Sequence, residues 1–117
     1  MLKPTKLAKN NFLSSLDMTS EEVIHVLDLA KDFKKNNLNV ELKNKVLGLI
    51  FDKSSTRTRV SFQVAMSRLG GTTIDLNPLT SQIGRGEPIK DTARVLSRYC
   101  DVLAIRTFNQ CDLEEYA

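Results

Sequence analysis

The sequence predicts an α/β fold in which a parallel sheet is flanked by helices. Two segments, Lys45–Phe51 and Val102–Ile105, are apolar almost throughout, which is typical of strands that helices cover on both faces. Apolar residues recur at helical spacing around these segments. Because strands and helices alternate along the 117 residues, the pattern favours a parallel sheet of at least three strands.

The first part of the chain is predicted to be a surface arm followed by a helix. Residues Met1–Asn11 mix Lys, Pro and Asn without periodicity, as expected of an arm. Thr19 and Glu22 have the spacing of a capping box, in which each side chain bonds the backbone of the other residue. This motif predicts a helix that runs to about Lys35.

The faces of this first helix are assigned from its apolar spacing. The residues expected to form its buried stripe are Val23, Val26, Leu27, Ala30 and Phe33. The single histidine of the chain, His25, falls with Asp28 and Asp32 on the opposite side. We therefore expect His25 to be an ordinary surface residue.

The middle of the chain predicts a helix and a second strand. From Val60 to Leu69 apolar residues recur at helical spacing, with Val60 and Val64 expected on the buried stripe. Gly70-Gly71 predicts a left-handed helix end. Thr72–Leu76 has the composition of a short strand, so the first strand, helix and second strand should form a right-handed parallel unit.

The last part of the chain continues the alternation. Asn77–Glu87 is rich in Asn, Pro, Ser and Gly, which predicts a mobile loop. Pro88 suits the first turn of a helix that runs to about Tyr99. A third buried strand, Val102–Ile105, follows, and Asp112–Ala117 has the pattern of a further helix start.

The stretch Ser55–Arg59 is predicted to bind an anion, because it lies where the first strand gives way to a helix. The first N–H groups of a helix lack internal partners and carry partial positive charge. Ser55, Thr56 and Thr58 can donate hydroxyl hydrogen bonds to phosphate, and the guanidinium fork of Arg57 matches two oxygens. On composition alone, a plain helix cap with solvated arginines explains these residues equally well. The stretch is not a Walker loop, whose glycines it lacks.

Other polar side chains are expected at the same edge of the sheet. In open α/β sheets, ligands bind outside the carboxyl ends of the strands. The second strand leads into the loop that holds Gln82 and Arg85, and the third strand ends at Arg106. For Arg106, a solvated strand end is the alternative interpretation.

Composition and charge disfavour several other classes of protein. The net charge of +3 and the few aromatic residues argue against nucleic acid as a partner. No apolar run approaches the ~20 residues of a membrane span, and no secretory signal is recognisable, so we expect a cytoplasmic protein. Cys100 and Cys111 lack metal-ligand spacing and are expected to be reduced thiols.

Several motifs resemble one enzyme family. Ser55–Arg59, within Phe51–Gly71, resembles the carbamoyl-phosphate signature of the aspartate and ornithine carbamoyltransferases. Ser81–Tyr99 and Arg106–Phe108 resemble the ornithine branch, because the aspartate branch has a lysine-bearing loop in the first of these segments and His-Pro in the second. The resemblance extends from about Phe12 to Tyr116.

The resemblance implies roles for individual residues. The implied ligands of carbamoyl phosphate are Ser55, Thr56, Arg57, Thr58, Gln82 and Arg106. Arg57, Thr58 and Arg106 are expected to act in catalysis, with Arg106 bridging the phosphate and the carbonyl oxygen. Gln82 is expected to reach carbamoyl phosphate in a neighbouring subunit. Arg59 is expected to have a supporting role, such as an ion pair, with weak ligand contact as the alternative.

The implied reaction transfers the carbamoyl group of carbamoyl phosphate to the side-chain amine of L-ornithine, which gives L-citrulline and phosphate. The resemblance implies arginine biosynthesis, with the degradative direction as the alternative, a homotrimer or a multiple of trimers, and neither metal nor organic cofactor. Cationic donors fixed around the reacting oxygens would stabilise the developing charge.

The resemblance also implies an incomplete protein. Residues 1–117 match the N-terminal portion of the carbamoyl-phosphate-binding domain, and the family's later His-Pro segment and ornithine-binding domain are not recognisable. We therefore expect these residues alone to be marginally folded or to self-associate, to bind carbamoyl phosphate weakly at best, and to make no citrulline. The alternatives are a carbamoyltransferase for another amine, such as aspartate, putrescine or an acetylated ornithine, and a non-catalytic anion-binding α/β fragment.

Overall fold

The computed structural model describes residues 6–35, 40–52, 55–77 and 86–117. The chain divides into two compact units, Met1–Val40 and Glu41–Ala117. The first unit contains a 3-10 helix, Ser15–Asp17, and helix α1, Ser20–Lys34. Within the described residues, no helix is long and apolar enough to cross a membrane.

Both helices of the first unit begin with capping boxes. In the 3-10 helix, the Asp17 carboxylate accepts the N–H groups of Leu13 at 2.8 Å and Ser14 at 3.2 Å. At α1, the Thr19 hydroxyl oxygen accepts the Glu22 N–H at 3.1 Å, and the Glu22 carboxylate accepts the Thr19 N–H at 3.0 Å. The predicted capping box and helix are confirmed, with Lys35 as the residue that ends α1.

The predicted faces of α1 are wrong. All five residues of the expected buried stripe are exposed: Val23, Val26, Leu27, Ala30 and Phe33. His25, Asp28 and Asp32 are instead half-buried, and the His25 Nε2 atom is buried without a hydrogen-bond partner among the described residues. The physical reason is that an apolar stripe is buried only where a second element covers it, and residues 6–35 contain no other α-helix or strand.

The second unit is built on a three-stranded sheet of order β2-β1-β3, in which both pairings are parallel. The strands are β1 (Val46–Phe51), β2 (Thr72–Leu76) and β3 (Val102–Arg106). The helices are α2 (Thr56–Arg68), α3 (Ile89–Leu96) and α4 (Gln110–Tyr116). The predicted α/β class and parallel sheet are confirmed.

Strand β1 is the centre of the core. Leu49 and Ile50 are wholly buried, at 0% exposure, and they point to opposite faces because side chains alternate along a strand. Leu47, Leu49 and Phe51 share one face and cluster with Met66 of α2. Burial of β1 on both faces is therefore confirmed.

Strand β3 is less covered than the sequence predicts. Val102 is 61% exposed, and Leu103 to Ile105 are only half-buried. In the described residues β3 lies at an edge of the sheet, so it lacks the neighbouring strand and the second covering layer that protect β1. The expectation of a third fully buried strand is wrong.

The buried face of α2 also differs from the predicted one. Val60 and Val64 are 47% and 43% exposed, whereas Arg59 and Gln63 are half-buried and Met66 is buried. Met66 fits beneath Gly71, where an added Cβ would meet the Met66 methyl carbon. Helix α2 is therefore rotated about its axis relative to the prediction. Its inward-facing side chains include Arg59 and Met66 and not the two valines.

Two glycines serve the packing of this unit in different ways. Gly70 has φ +84°, which confirms the predicted left-handed end of α2. Gly48 lies in the middle of β1, where an added Cβ would come within 2.6 Å of Leu103 Cδ2 and 3.1 Å of Cys100 Sγ. The missing side chain at Gly48 allows the half-buried Cys100 to pack against the central strand.

Candidate functional site

The structure brings most of the predicted site residues to one edge of the sheet. Ser55 precedes α2, and Thr56, Arg57 and Thr58 form its first turn. Arg106 is the last residue of β3 and lies beside Phe51, the last residue of β1. The loop residues Gln82 and Arg85 lie outside the described residues.

Backbone contacts fix the distance between the two strand ends. The N–H of Asp52, which directly follows β1, donates to the carbonyl oxygen of Arg106 at 2.8 Å. Residues that pair side by side in a parallel sheet project to the same face, so Arg106 projects to the face of Phe51. This is also the face on which Met66 of α2 joins the core.

The start of α2 is left open by its own side chains. Ser55 occupies the N-cap position with φ -153° and ψ 79°, but its side chain makes no capping hydrogen bond. Its carbonyl oxygen accepts the Arg59 N–H at 3.0 Å, so the helix begins normally. The first turn contains no acidic residue. Within the described residues, no side chain therefore caps this helix start, and the donors of such a start can bind an anion.

An open groove lies along α2 beside this helix start. It has a volume of about 420 Å³, and its lining residues are Arg57, Thr58, Ser61, Phe62 and Ala65. The Ser61 hydroxyl donates to the Arg57 carbonyl oxygen at 2.8 Å, which holds the first turn of the helix together. Arg57 and Thr58 thus face solvent at this groove, whereas Ser55, Thr56 and Arg106 are not among the described residues that line it.

Arg59 turns away from the open groove and toward the sheet. Its Nε atom lies 3.3 Å from Asp75 Oδ2, and the two side chains are 30% and 35% exposed. The buried Nε makes no hydrogen bond, so the contact is a charge attraction without good alignment. The Arg59 guanidinium carbon lies 5.5 Å from the centroid of the Phe51 ring, within the range of a cation–π contact. The expected ion pair of Arg59 is confirmed.

Asp75 contacts Arg59 in this region, although nothing in the sequence pattern had predicted it. Asp75 lies beside Leu49 in the register of β1 and β2, so it projects to the face that carries Phe51. It is the only charged residue in β2. A lone carboxylate in a short strand that follows an Arg-bearing helix is the signal that could have identified it.

Tyr116 of α4 is a second residue that the sequence analysis did not single out. Burial raises the pKa of its hydroxyl, and the negative charge of Asp52 raises it further. The hydroxyl is therefore neutral at physiological pH.

A metal centre finds no support in the described residues. No group of three or more His, Cys, Asp or Glu side chains among them could hold a metal ion. The polar groups of Ser55 to Thr58 and Arg106 at the sheet edge are hydroxyls, guanidiniums and backbone N–H groups, and Asp52 adds one carboxylate. This set of donors suits a phosphate or a carboxylate.

A parallel sheet with hydroxyl and guanidinium donors at a helix start is an arrangement found in α/β proteins that bind anions. Comparison with protein families makes this class specific. Residues 10–117 match the family model described as aspartate/ornithine carbamoyltransferase, carbamoyl-P binding domain. The chain belongs to the aspartate/ornithine carbamoyltransferase family.

Individual relatives agree with this assignment. The chain is 80% identical over 117 residues to an ornithine carbamoyltransferase of Prochlorococcus marinus (strain MIT 9312), covering 100% of this chain and 38% of the relative. It therefore spans little more than a third of that relative's length.

Solved structures of the family have the same fold. An ornithine carbamoyltransferase from Gloeobacter violaceus matches with a TM-score of 0.82 and 49% identity, over 95% of this chain and 35% of that one. An anabolic ornithine carbamoyltransferase from Campylobacter jejuni matches with a TM-score of 0.85 and 38% identity, over 93% and 36% of the two chains.

Proposed function

We propose that this chain is the N-terminal portion of the carbamoyl-phosphate-binding domain of a transferase that makes L-citrulline and phosphate from carbamoyl phosphate and L-ornithine. The observation that carries the proposal is the open start of α2, where Ser55 to Thr58 stand at the end of the central strand. Ornithine is proposed as the acceptor because the similar relatives are named for it. In this proposal the ornithine-binding domain lies outside residues 1–117.

Each residue of the site has a role that follows from its chemistry. The hydroxyls of Ser55, Thr56 and Thr58 donate to phosphate oxygens at the helix start. Arg57 binds two of these oxygens through its planar fork, which a lysine cannot do. Arg106, at the end of the neighbouring strand, bridges the phosphate and the carbonyl oxygen.

The reaction requires stabilised charge and correct orientation. The neutral amine of ornithine attacks the carbonyl carbon and forms the new C–N bond while negative charge grows on the carbonyl oxygen. The C–O bond to phosphate then breaks, and the amine proton leaves with the phosphate. Arg57, Thr58 and Arg106 stabilise these oxygens because their donors are already in place. Holding the labile acyl phosphate in one orientation supplies a further part of the rate.

The resemblance to a trimeric family extends the proposal to assembly and location. We propose a homotrimer, or a multiple of trimers, in which Gln82 reaches carbamoyl phosphate bound to a neighbouring copy. We also propose a cytoplasmic enzyme of arginine biosynthesis that uses no cofactor. The two free thiols, Cys100 and Cys111, are compatible with a reducing compartment.

The proposal is tested with a protein of the relatives' full length that carries this chain. Arg57→Ala is expected to lower citrulline formation by roughly 10²–10³-fold or more, because it removes charge-matched donors from the transition state. Arg57→Lys should restore little of this loss, since a point charge cannot replace the fork. Arg68→Ala, in the last turn of the same helix, is the matched control and should retain activity.

Near-normal turnover of Arg57→Ala would contradict the phosphate assignment. The same protein should be assayed with ornithine, aspartate, putrescine and acetylated ornithine in parallel. Faster carbamoylation of one of the other amines would contradict ornithine as the acceptor. Binding of carbamoyl phosphate without transfer to any amine would favour the non-catalytic alternative.

A further inference from the structure

We infer that Arg59, held by Asp75 and Phe51, is a positioning residue that sets the direction in which Arg57 and Thr58 meet the phosphate. The inference rests on the proposed function, because it names a support for the same site. It assigns Arg59 no contact with the substrate. It also implies that Asp75, a carboxylate in β2, contributes indirectly to the binding of an anion.

The Arg59 side chain lies between helix α2 and two strands of the sheet. Its guanidinium carbon lies 5.5 Å from the centroid of the Phe51 ring, at the carboxyl end of β1. Its Nε lies 3.3 Å from Asp75 Oδ2, in β2. One side chain therefore ties the first turn of α2 to two strands. Among the described residues, this is the only ion pair between α2 and the sheet.

The rotation of α2 about its axis determines where Arg57 projects. Successive residues of an α-helix are about 100° apart around its axis, so Arg57 lies about 200° from Arg59. While Arg59 points to the sheet, Arg57 must project from the far side of the helix, and Arg57 is indeed exposed beside the groove. Loss of the Arg59 contacts would allow the first turn to rotate and carry Arg57 and Thr58 with it.

Apolar packing alone does not hold the N-terminal end of α2 against the sheet. Val60 and Val64 are exposed, and Met66, the buried residue of α2, lies near the opposite end. The described ion pair and ring contact between the first turn and the sheet both belong to Arg59. Both contacts are half-shielded from water, which makes charge attraction stronger than at a fully exposed site.

The Asp75 carboxylate provides a test in which the two explanations predict opposite signs. Simple charge attraction predicts that removing a negative charge near an anion site tightens anion binding. The positioning role predicts that Asp75→Asn weakens binding, because Arg59 loses its partner and the helix start loses its fixed direction. Asp75→Asn nearly preserves the shape of the side chain, so it disturbs packing little.

The experiment uses a protein of the relatives' full length and the probe phosphonoacetamide, a stable analogue of carbamoyl phosphate in which a methylene replaces the bridging oxygen. Titration calorimetry measures its Kd for Asp75→Asn, Arg59→Met, Arg59→Lys and the double variant Arg59→Met/Asp75→Asn. Asp101→Asn is the matched control, because Asp101 pairs with Lys45 at the opposite end of β1, with 3.8 Å between the charged atoms.

We expect Asp75→Asn and Arg59→Met each to raise Kd roughly 5- to 20-fold, and the double variant to add little to either. The Kd of Arg59→Lys should lie between those of Arg59→Met and the unchanged protein, because lysine keeps the charge attraction but not the planar ring contact. Asp101→Asn should change Kd less than about twofold. A general loss of stability would affect Asp75→Asn and Asp101→Asn alike, and thermal unfolding of both variants reports that separately.

Unchanged or tighter binding by Asp75→Asn would overturn the inference, as would strictly additive effects in the double variant. If Arg59→Met does not fold, the comparison of Asp75→Asn with Asp101→Asn decides alone. Arg57→Ala separates the two levels of the argument. If Arg57→Ala binds the probe normally, the proposed function fails. If Arg57→Ala loses binding while Asp75→Asn does not, only the positioning role fails.

Discussion

Helices α1 and α2 begin in opposite ways. At the start of α1, Thr19 and Glu22 exchange two side-chain hydrogen bonds with the backbone, and Glu21 and Glu22 supply negative charge to the first turn. At the start of α2, the N-cap Ser55 makes no side-chain capping bond, and the first turn contains no acid. The same chain thus contains one helix start that its own side chains satisfy and one that they leave open.

The capped start contributes to the stability of α1, whereas the uncapped start of α2 leaves donors for a ligand. A side-chain cap contributes about 0.5–2 kcal/mol to helix stability, and α2 forgoes it. Because Ser55 does not cap it, the first N–H groups of α2 and the positive end of its dipole can interact with a ligand. A helix that needs an anion at its start should therefore be less stable without the anion than a helix of the α1 type.

The largest effect is expected when the start of α2 is closed with a carboxylate. Ser55→Asp supplies a good capping residue, but it also places a negative charge where the phosphate binds. Two like charges 4 Å apart at a protein surface repel by about 4 kcal/mol, so carbamoyl phosphate binding should weaken roughly a hundredfold or more. Titration with phosphonoacetamide measures the loss, and thermal unfolding should show unchanged or higher stability.

The control for Ser55→Asp is Thr19→Asp, which exchanges one good cap for another at α1 and should leave binding unchanged. If Ser55→Asp bound the probe as tightly as the unchanged protein, the start of α2 would not be the phosphate site. The contrast between the two helix starts would then concern stability alone.

A smaller effect is expected when the start of α1 is opened. Thr19→Ala removes the hydroxyl that accepts the Glu22 N–H, and it should lower the free energy of unfolding by about 1 kcal/mol. Denaturant unfolding measures this change. Phosphonoacetamide binding should be unaffected, and a parallel loss of binding would show that α1 also supports the site.

The smallest effect is the response of α1 to acid. Hydrogen bonds from the Thr19 and Ala8 N–H groups lower the pKa of Glu22 below its ordinary value. Because the folded pKa is the lower one, the contribution of Glu22 to stability is present above its unfolded pKa. It is lost as the pH falls through the folded pKa.

Unfolding measured against pH, for the unchanged protein and Glu22→Gln, checks this dependence. The stability difference between the two should be small, since Glu22 is close to solvent, and it should shrink as the solution becomes acidic. A difference that stays constant down to strong acid would contradict the assigned cause of the pKa shift.

Sequence patterns predicted the elements of the fold better than their orientation. The Thr19 capping box, the left-handed Gly70 and the apolar strand β1 depend on local chemistry, and the structure confirms all three. The buried faces of α1 and α2 depend on what lies against them in space. Spacing favoured Val60 and Val64, but the contacts of Arg59 with another strand turn α2 the other way.

The candidate site shows the same limit. The location of Ser55 to Thr58 at a helix start could be predicted because the polar residues and the helix start are contiguous in sequence. Asp75 could not be assigned as the partner of Arg59, because its position depends on the register of β2 against β1. A partner from a different strand becomes recognisable only when the sheet is assembled.

The close contact at Gly48 gives the two cysteines different chemical reactivity. Cys100 packs against the middle of β1, and burial raises its thiol pKa, with the Asp101 charge adding to the shift. Cys111 is exposed on α4. Because the thiolate is the reactive form, alkylating reagents should modify Cys100 slowly and Cys111 at an unhindered rate. The ratio of the two labelling rates therefore reports how often the Gly48 face of the sheet opens to solvent.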